Sequence, residues 1–473
     1  MADYEAVIGL EVHAELLTES KMFCGCPVVD STQAPPNTTI CPICTAQPGS
    51  LPVINRKAVD YGIMVGLALH CAINDFNQFA RKSYFYPDLP KGYQITQYEH
   101  PLASNGYIDI EAKRIGVRRA HLEEDTGKLF HVGDASLVDL NRAGVPLLEI
   151  VSEPDMRSVE EVEAYARKLR AILVYLGVNH GDMSKGVLRF EANISIRPAG
   201  STELNTRTEV KNLNSIRSLA RATRFEIARQ TQIVESGGKV DQETLGFNEQ
   251  TGETHAQRSK EQAHDYRYFP EPDLPPIVVS REWVKRIEAT LPELPDAKRE
   301  RLVAEFGLSR QDADLLVTDK AVADYFETVV AEGGSPKSAA NWIGGEMFRL
   351  INEAGIEVTG VKITPAALVR LIKLVDAGTI NHNTAKEVFG KMFQTGESAS
   401  VIVEREGLAQ ISDAGALEAL VDRVIAASPN EVESYRGGKD GLFGWFVGQV
   451  MKDTQGKGNA ALVSQILKDK LRQ

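Results

Sequence analysis

The segment Ala6-Val-Ile-Gly-Leu-Glu-Val-His13 sets two ionisable side chains, Glu11 and His13, into an otherwise apolar run. This pattern is typical of a β-strand, and side chains two residues apart in a strand point to the same face. A carboxylate within an apolar strand is costly unless a cationic group meets it. The segment therefore predicts a strand whose Glu11 and His13 face a charged partner together.

Further strand-like segments follow in the first part of the chain, separated by helical patterns and many Gly and Pro residues. The strand-like segments are Tyr107-Ile-Asp-Ile110, Leu188-Arg-Phe-Glu-Ala-Asn-Ile-Ser-Ile196 and Pro276-Ile-Val-Val279, and the helical ones are 56–69, 158–176 and 215–235. Because strands and helices do not alternate regularly, they predict an α+β fold with a mainly antiparallel sheet. We assign residues 1–294 to this domain.

The character of the chain changes near Leu291-Pro-Glu-Leu-Pro295, after which amphipathic helical patterns follow one another. In the clearest of them, Thr364 suits the N-cap and Pro365 suits the first helical position. We therefore expect an all-helical C-terminal region, made of a helical domain at 295–398 and a helical tail domain at 399–473. Tails of this kind are usually recognition modules.

Composition and charge narrow the class of protein. With 473 residues, 43% of them apolar and 25% charged, the chain is expected to form two or three soluble domains. No apolar stretch reaches the ~20 residues that cross a bilayer, and the acidic start does not resemble a signal peptide, so we expect a cytoplasmic protein without membrane contact. The net charge of −12 argues against non-specific coating of nucleic acid. Basic segments at 189–229 and 435–473 could still meet phosphates, with solvated helix faces as the alternative.

Four of the five cysteines lie close together, in Cys24-Gly-Cys26 and Cys41-Pro-Ile-Cys44. Two thiol pairs joined by a loop can supply four thiolates to one tetrahedral Zn²⁺ ion. The loop has little with which to form a core, so a metal would explain its order. Buried or redox-active thiols are the alternative. A four-cysteine zinc site leaves no open coordination position and would be structural.

Carboxylates recur in other strand-like segments, at Glu124, Glu149 and Glu191. Converging acidic oxygens are natural ligands for Mg²⁺ ions that carry the phosphates of a nucleotide. Salt bridges to the many arginines of the chain are the alternative. Together with Glu11 and His13, these residues are the candidate metal ligands.

Two polar segments could wall such a site. The stretch Arg81–Gln97 combines prolines and aromatic residues with several polar side chains, which suits a site wall or a polar passage, or else a packed surface loop. The stretch Glu209–Ser215 offers Lys211, Asn212 and Asn214 at the start of a long helical pattern, where phosphate or carboxylate groups are readily bound.

The motifs of common nucleotide sites and amidases are missing from the sequence. There is no Gly-x-x-x-x-Gly-Lys-Ser/Thr loop, no Gly-x-Gly-x-x-Gly fingerprint after a strand and no Gly-x-Ser-x-Gly elbow. No Ser-rich Gly loop suits a Ser-Ser-Lys amidase, and Ala2 excludes an N-terminal cysteine glutaminase. If the protein makes amides, its ammonia must come from elsewhere.

Several long strings, in order along essentially the whole chain, resemble the family of B subunits of aspartyl/glutamyl-tRNA amidotransferases. They are Val7-Ile-Gly-Leu-Glu-Val-His13, Ser83-Tyr-Phe-Tyr-Pro-Asp88, His121-Leu-Glu-Glu-Asp-Thr-Gly127, Glu149-Ile-Val-Ser-Glu-Pro-Asp155, Glu209-Val-Lys-Asn-Leu-Asn-Ser215, His264-Asp-Tyr-Arg-Tyr-Phe-Pro-Glu-Pro-Asp273 and Gly444-Trp-Phe-Val-Gly-Gln-Val-Met-Lys452. Such strings are far more specific than a single short motif.

The resemblance implies a cradle domain similar to the glutamine synthetase catalytic fold, with carboxylates on antiparallel strands that hold Mg²⁺ and ATP. It implies that the metal ligands are Glu11, His13, Glu124, Glu149 and Glu191, and we add nucleotide contacts by Arg189, Lys211, Asn212 and Asn214. Where the usual family string is Arg-Cys-Asp-Ala-Asn, this chain has Arg189-Phe-Glu-Ala-Asn193, which makes Glu191 the ligand that departs from the pattern. Some members carry the cysteine pairs and others lack them, which supports a structural zinc.

The resemblance also implies a reaction and its partners. ATP would phosphorylate the side-chain carboxylate of Glu on tRNA(Gln) or Asp on tRNA(Asn), and ammonia from a partner amidase (A) subunit would displace the phosphate. A small C subunit would brace the other two, the tail from about residue 400 would contact tRNA, and Arg81–Gln97 is the candidate exit of an ammonia passage. Two other readings stay open, a tRNA-binding scaffold without chemistry and a standalone ammonia ligase that acts on a free amino acid.

Overall fold

A computed structural model of the chain describes residues 4–111, 113–259, 266–411, 413–454 and 457–472. These residues form two compact units, which divide between Pro295 and Asp296. His264 and Asp265, which open one of the family-like strings, lie outside the described residues.

The described residues of the first unit form sixteen strands and four helices. The strands are β1 (Tyr4–Glu15), β2 (Ala72–Ile73), β3 (Phe76–Asn77), β4 (Phe79–Ser83), β5 (Tyr93–Gln97), β6 (Ala103–Ile110), β7 (Lys113–Glu124), β8 (Lys128–Val132), β9 (Ala135–Asp139), β10 (Pro146–Ser152), β11 (Leu188–Pro198), β12 (Thr208–Leu213), β13 (Glu243–Asn248), β14 (Glu253–Ser259), β15 (Phe269–Pro270) and β16 (Ile277–Val278). The helices are α1 (Arg56–Ala68), α2 (Val159–Tyr175), α3 (Ile216–Glu235) and α4 (Arg281–Glu288).

Twelve of the described strands form one sheet, in the order β14-β13-β12-β11-β1-β10-β7-β5-β4-β15, with β6 also paired to β7 and β2 paired to β6. The pair β12–β13 is parallel, and the other pairs described in this sheet are antiparallel. The predicted α+β fold with a mainly antiparallel sheet is confirmed.

The central strand β1 separates a core face from a polar face. Ile8, Leu10 and Val12 are fully buried and belong to one apolar cluster with residues of α1, α2 and α3. The residues between them point the other way because side chains alternate along a strand. The side chains of Asn55, Ser158 and Ser215 cap the three helices by accepting hydrogen bonds from their first amides, and apolar side chains of the helices pack on the core face. The polar face is thus left for a site.

The second unit is helical. Its helices are α5 (Pro295–Phe306), α6 (Arg310–Val317), α7 (Lys320–Ala331), α8 (Pro336–Trp342), α9 (Phe348–Ala354), α10 (Pro365–Asp376), α11 (His382–Thr395), α12 (Ala399–Arg405), α13 (Ala414–Ala427), α14 (Pro429–Arg436), α15 (Leu442–Asp453) and α16 (Ala460–Leu471), with a π-helical turn at Ile343–Met347 and a 3₁₀ turn at Val358–Gly360. Helix α10 begins after Thr364, whose side chain caps it, as the sequence predicted.

Two apolar clusters stabilise the second unit. One runs from Leu302 to Val403 and includes α12, and the other runs from Leu417 to Leu471. The helix that follows position 398 therefore packs with the helices before it. Among the described residues, no helix is both long and apolar enough to cross a membrane.

Gly106 in β6 is a position where packing excludes a side chain. A Cβ atom there would lie 2.3 Å from the Cys71 sulfur and 2.4 Å from the Leu69 carbonyl oxygen, far inside van der Waals contact. We expect Gly106→Ala to lower the free energy of unfolding by about 1–3 kcal/mol, the usual cost of overpacking. Urea unfolding followed by circular dichroism measures this change.

The matched control is Gly390→Ala in α11, where an added Cβ meets no atom within 4 Å. Alanine is favoured over glycine inside a helix by about 0.5–1 kcal/mol, so this variant should be as stable as the wild type or more so. An unfolding midpoint of Gly106→Ala equal to that of the wild type would contradict the packing argument.

Candidate active site

The polar face of the sheet forms the floor of a cleft of about 1060 Å³. Side chains from β1, β4, β5, β7, β10, β11 and β12 line it, together with Tyr266 and Tyr268. Because all of these strands neighbour one another across the sheet, residues far apart in sequence meet on one surface.

Strand register aligns the charged residues of the cleft in rows. His13 lies directly opposite Glu149 on β10 and Arg189 on β11. Glu149 in turn lies opposite His121 on β7. In the next row, Glu11 lies directly opposite Glu191. Like charges directly across two strands destabilise a sheet by about 0.2–1 kcal/mol, so the pair Glu11/Glu191 is a cost that the fold carries.

The first acidic cluster surrounds the His13 imidazole. His13 Nε2 lies 3.4 Å from a Glu149 carboxylate oxygen and 3.6 Å from Glu123. Burial opposes protonation of His13, but the hydrogen bond and charge of Glu149 raise its pKa to about 9. Burial and the charge of Glu149 raise the pKa of Glu123 to about 7, whereas burial lowers the pKa of His121 to about 3. At neutral pH, His13 therefore holds an extra proton and His121 does not, although both lie beside Glu149.

The second acidic cluster consists of Glu11, Glu191 and Glu209. Lys211 Nζ lies 2.7 Å from Glu191 and 3.9 Å from Glu209. Burial opposes ionisation of Glu191, but the charge of Lys211 lowers its pKa. The amide of Asn193 donates to Glu11 at 3.1 Å. Lys211 thus lies against two of the three carboxylates of this cluster, Glu191 and Glu209.

Both clusters fit a divalent cation that binds oxygen. In each, one ligand atom from every residue lies within 4.8 Å of the others, and carboxylate oxygens are the ligands that Mg²⁺ prefers. Among the described residues, buried His13 Nδ1 and Asn193 Oδ1 have no hydrogen-bond partner. Buried polar atoms without a partner, beside crowded carboxylates, are typical of a site shaped for a further ion or ligand.

The cationic wall of the cleft includes Arg189 and Lys82. Arg189 donates to Asp125 at 2.8 Å and lies 3.7 Å from Glu15, so two carboxylates fix its direction. The Lys82 ammonium lies 5.0 Å from the ring centroid of Tyr266. The rings of Tyr98 and Tyr268 stack with their centroids 4.0 Å apart. Cations and aromatic rings together suit phosphate and base groups.

The four cysteines Cys24, Cys26, Cys41 and Cys44 come together in the same unit, with their sulfur atoms within 4.8 Å of one another. The sulfurs of Cys41 and Cys44 are 3.9 Å apart, and all four thiols are free of disulfides. Tetrahedral zinc with Zn–S bonds of about 2.3 Å separates its sulfurs by roughly 3.8 Å. The arrangement fits a four-thiolate zinc site.

Comparison with known proteins gives one consistent match. A family model described as the GatB/GatE catalytic domain matches residues 6–285, and one described as the GatB domain matches residues 324–471. The B subunit of the aspartyl/glutamyl-tRNA(Asn/Gln) amidotransferase of Thermodesulfovibrio yellowstonii is 53% identical over 471 residues, which are 98% of either chain. The subunits of the same name from a Thermoanaerobacter species and from Caldanaerobacter subterraneus are each 53% identical over 99% of both chains.

The chain belongs to the family of aspartyl/glutamyl-tRNA amidotransferase B subunits. The family resemblance read from the sequence is confirmed. For a member of this family, the cleft and its acidic clusters are the natural candidate for the active site.

One predicted ligand, Glu124, lies apart from the others. Glu124 lies outside the two acidic clusters and forms an ion pair with Lys91, while its carboxylate accepts from the Ile95 amide at 3.0 Å. Its neighbour Glu123 takes the place in the cleft, because residues 121 and 123 share one face of β7 and residue 124 points to the other. The spacing His121-Leu-Glu123 is the signal that could have identified it.

Other predicted residues divide between the cleft and the surface. Glu11, His13, Glu149, Glu191, Arg189, Lys211 and Asn212 all line the cleft. Asn214 is exposed and is not among the described cleft-lining residues. Glu209 completes the second cluster and was missed, although it lies two residues before Lys211 in β12 and so shares its face.

A metal-binding prediction follows from the pair Glu11/Glu191. We expect Glu11→Gln to leave the melting temperature of the metal-free protein unchanged or raised, because it removes a like-charge contact. Added Mg²⁺ should raise the melting temperature of the wild type, because a ligand that binds only the folded state stabilises it, and should raise that of the variant much less. Differential scanning fluorimetry across a Mg²⁺ titration measures both effects.

The matched control is Glu163→Gln. Glu163 is a partly exposed residue of α2 and is not among the described cleft-lining residues, so this variant should keep the full response to Mg²⁺. A response of equal size in Glu11→Gln would contradict a cation at the second cluster.

A second prediction concerns Glu15, next to Arg189. Burial and the charge of Asp125 raise the pKa of Glu15 from 4.5 to about 7. Ionising Glu15 therefore costs the folded state more than the unfolded state, and the stability present below pH 4.5 is lost as the pH rises through 7. We expect Glu15→Gln to flatten the fall in melting temperature between pH 5 and 8.

Glu19→Gln, at an exposed position on the same segment, is the control and should follow the wild-type curve. Parallel curves for Glu15→Gln and the wild type would show that Glu15 does not set this dependence.

Proposed function

We propose that this chain activates the side-chain carboxylate of Glu on tRNA(Gln), of Asp on tRNA(Asn), or of both, with ATP, and converts it to the amide with ammonia. Gln-tRNA(Gln) and Asn-tRNA(Asn) would be the products. The observation that carries the proposal is a pair of acidic clusters on the floor of one cleft, in a chain that belongs to the family of amidotransferase B subunits. A C–N ligase of this type needs such a site because phosphoryl transfer is mostly a matter of positioning and charge.

The acidic clusters would hold Mg²⁺ and, through it, the phosphates of ATP. The ligands in this proposal are Glu11, His13, Glu123, Glu149, Glu191 and Glu209, all of which line the cleft. Bound Mg²⁺ would neutralise the phosphate charge during transfer. Lys211 holds Glu191 and Glu209 in place from one side, and Arg189, directed by Asp125, would bind an oxygen of the transferring phosphoryl group or of the substrate carboxylate.

The proposed reaction has two steps. An oxygen of the substrate carboxylate attacks the γ-phosphorus of ATP, the bond to the β-phosphate oxygen breaks, and an acyl phosphate and ADP result. Ammonia then adds to the acyl carbon, loses a proton and expels inorganic phosphate, which leaves the amide. The attacking species must be neutral ammonia because ammonium has no lone pair.

Ammonia would come from glutamine in a partner amidase subunit, because this sequence carries no amidase motif. A small third subunit would brace the complex as a heterotrimer. The segment Arg81–Gln97 is our candidate for the end of the ammonia passage. It carries Lys91, whose ion pair with Glu124 lies on the side of β7 away from the acidic clusters, as a neighbouring polar route would require.

The helical tail at 399–473 would contact the tRNA, and the four cysteines would hold a structural zinc. Charged tRNA is consumed by ribosomes, so we propose that the reaction takes place in the cytoplasm. In this proposal, the first unit carries out the chemistry and the helical unit contacts the tRNA.

The test is an amidation assay on the chain reconstituted with the amidase and small subunits. It uses Glu-tRNA(Gln) and Asp-tRNA(Asn), with and without ATP, and with glutamine or ammonium chloride as the donor. We expect ATP-dependent amidation that falls roughly 100-fold or more in Glu123→Gln with either donor, because a metal ligand is lost. Glu124→Gln should lose mainly the glutamine-dependent activity, and Glu163→Gln is the control.

The outcomes separate the alternatives. Full activity in Glu123→Gln would contradict the proposed site. If neither tRNA gave a product with either donor, the chain would instead be a tRNA-binding scaffold without chemistry of its own. Amidation of free glutamate without tRNA would establish a standalone ammonia ligase.

A further inference from the structure

A buried lysine lies against the four-cysteine cluster. Lys21, in the segment that follows β1, is 1% exposed. Its ammonium lies 3.7 Å from the Cys44 sulfur and 3.4 Å from the Leu140 carbonyl oxygen. Among the described residues, no carboxylate oxygen lies within 4.0 Å of it, unlike the salt-bridged lysines elsewhere in the chain.

A buried ammonium without a carboxylate requires another anion. Burying an unpaired charge costs several kcal/mol, and a carbonyl dipole offsets only part of that cost. The Cys44 sulfur is the remaining partner, and it also accepts from the Cys41 amide at 3.1 Å. Four thiolates around one divalent cation carry a net charge of about −2, which is the anion that this lysine lacks elsewhere.

We propose that Lys21 is a positioning residue of the metal site, whose ammonium donates to the Cys44 sulfur and offsets the negative charge of the metal-bound thiolates. Groups that hydrogen-bond metal ligands orient them and tune the affinity of the site. Lys21 does this from the buried side of the cluster, where water cannot take its place.

The same lysine ties the cysteine segment to the chain around residues 140–144. Its ammonium donates to the Leu140 carbonyl, and the neighbouring Met22 amide donates to the Gly144 carbonyl at 2.7 Å. Lys21 therefore contacts both the metal site and this segment.

The test compares Lys21→Met, which keeps the length of the side chain and removes its charge, with Lys21→Arg, which keeps the charge. Zinc content is measured in the full-length protein, and zinc affinity is measured by chelator competition. We expect one zinc per wild-type chain and a zinc Kd raised about 10- to 100-fold in Lys21→Met, the usual effect of losing a group that supports a ligand. The zinc Kd of Lys21→Arg should lie between those of the wild type and Lys21→Met.

Lys185→Met is the matched control. Lys185 pairs with Asp30 of the same cysteine loop at 3.0 Å and is half-exposed, so its loss should leave the zinc Kd within twofold of the wild type. Cobalt substitution adds a spectroscopic readout, because a hydrogen bond to a thiolate shifts the sulfur-to-cobalt charge-transfer band. That band should move in Lys21→Met and stay in place in Lys185→Met.

A second measurement uses the wild-type protein and so does not depend on a variant that folds. Acetic anhydride labelling followed by mass spectrometry gives the reactivity of each lysine with zinc bound and after chelation. We expect Lys21 to be protected with zinc and at least fivefold more reactive without it, while Lys185 stays constant.

An unchanged zinc Kd and cobalt spectrum in Lys21→Met, equal labelling of Lys21 with and without metal, or a wild-type chain that binds no zinc would each overturn the proposal. The inference rests on the proposed structural zinc and not on amidation. Since metal binding is measured without tRNA or ATP, its failure would leave the proposed reaction standing.

Discussion

The antiparallel pairing of β1 with β11 is the constraint on which the site in the first unit depends, because it sets Glu11 directly opposite Glu191. Two carboxylates placed in this way repel each other and destabilise the pairing. Here the two strands are held in register over eleven residue pairs, and the apolar residues on their other face are buried beneath three helices. Burial of that face, worth roughly 25 cal/mol per Å² of apolar surface, stabilises an arrangement that the polar face alone would not.

The even-numbered and odd-numbered residues of β1 consequently have different functions. Ile8, Leu10 and Val12 belong to the core, and Glu11 and His13 belong to the acidic clusters. A one-residue slip of register would exchange the two sets. The long antiparallel pairing, and not any single contact, is therefore what keeps the carboxylates on the cleft side.

The sequence predicted the elements well because their signals are local. The apolar run Ala6–His13 located β1, and helical patterns located α1, α2 and α3 to within a residue or two. The site was predicted less completely. Glu123 and Glu124 are adjacent acids, and which of them enters the cleft depends on how β7 pairs with β10, a long-range register that a local pattern does not contain. Glu209 enters because β12 lies beside β11, which again is set by topology.

The contact between Lys21 and Cys44 has a consequence for the order in which the chain folds and binds its metal. Lys21 is 1% exposed, so its ammonium is enclosed when the first unit folds. On the proposal above, a chain that folds before it binds zinc buries this charge without the anion that offsets it. Folding and metal loading should therefore be coupled, with zinc bound before this segment closes.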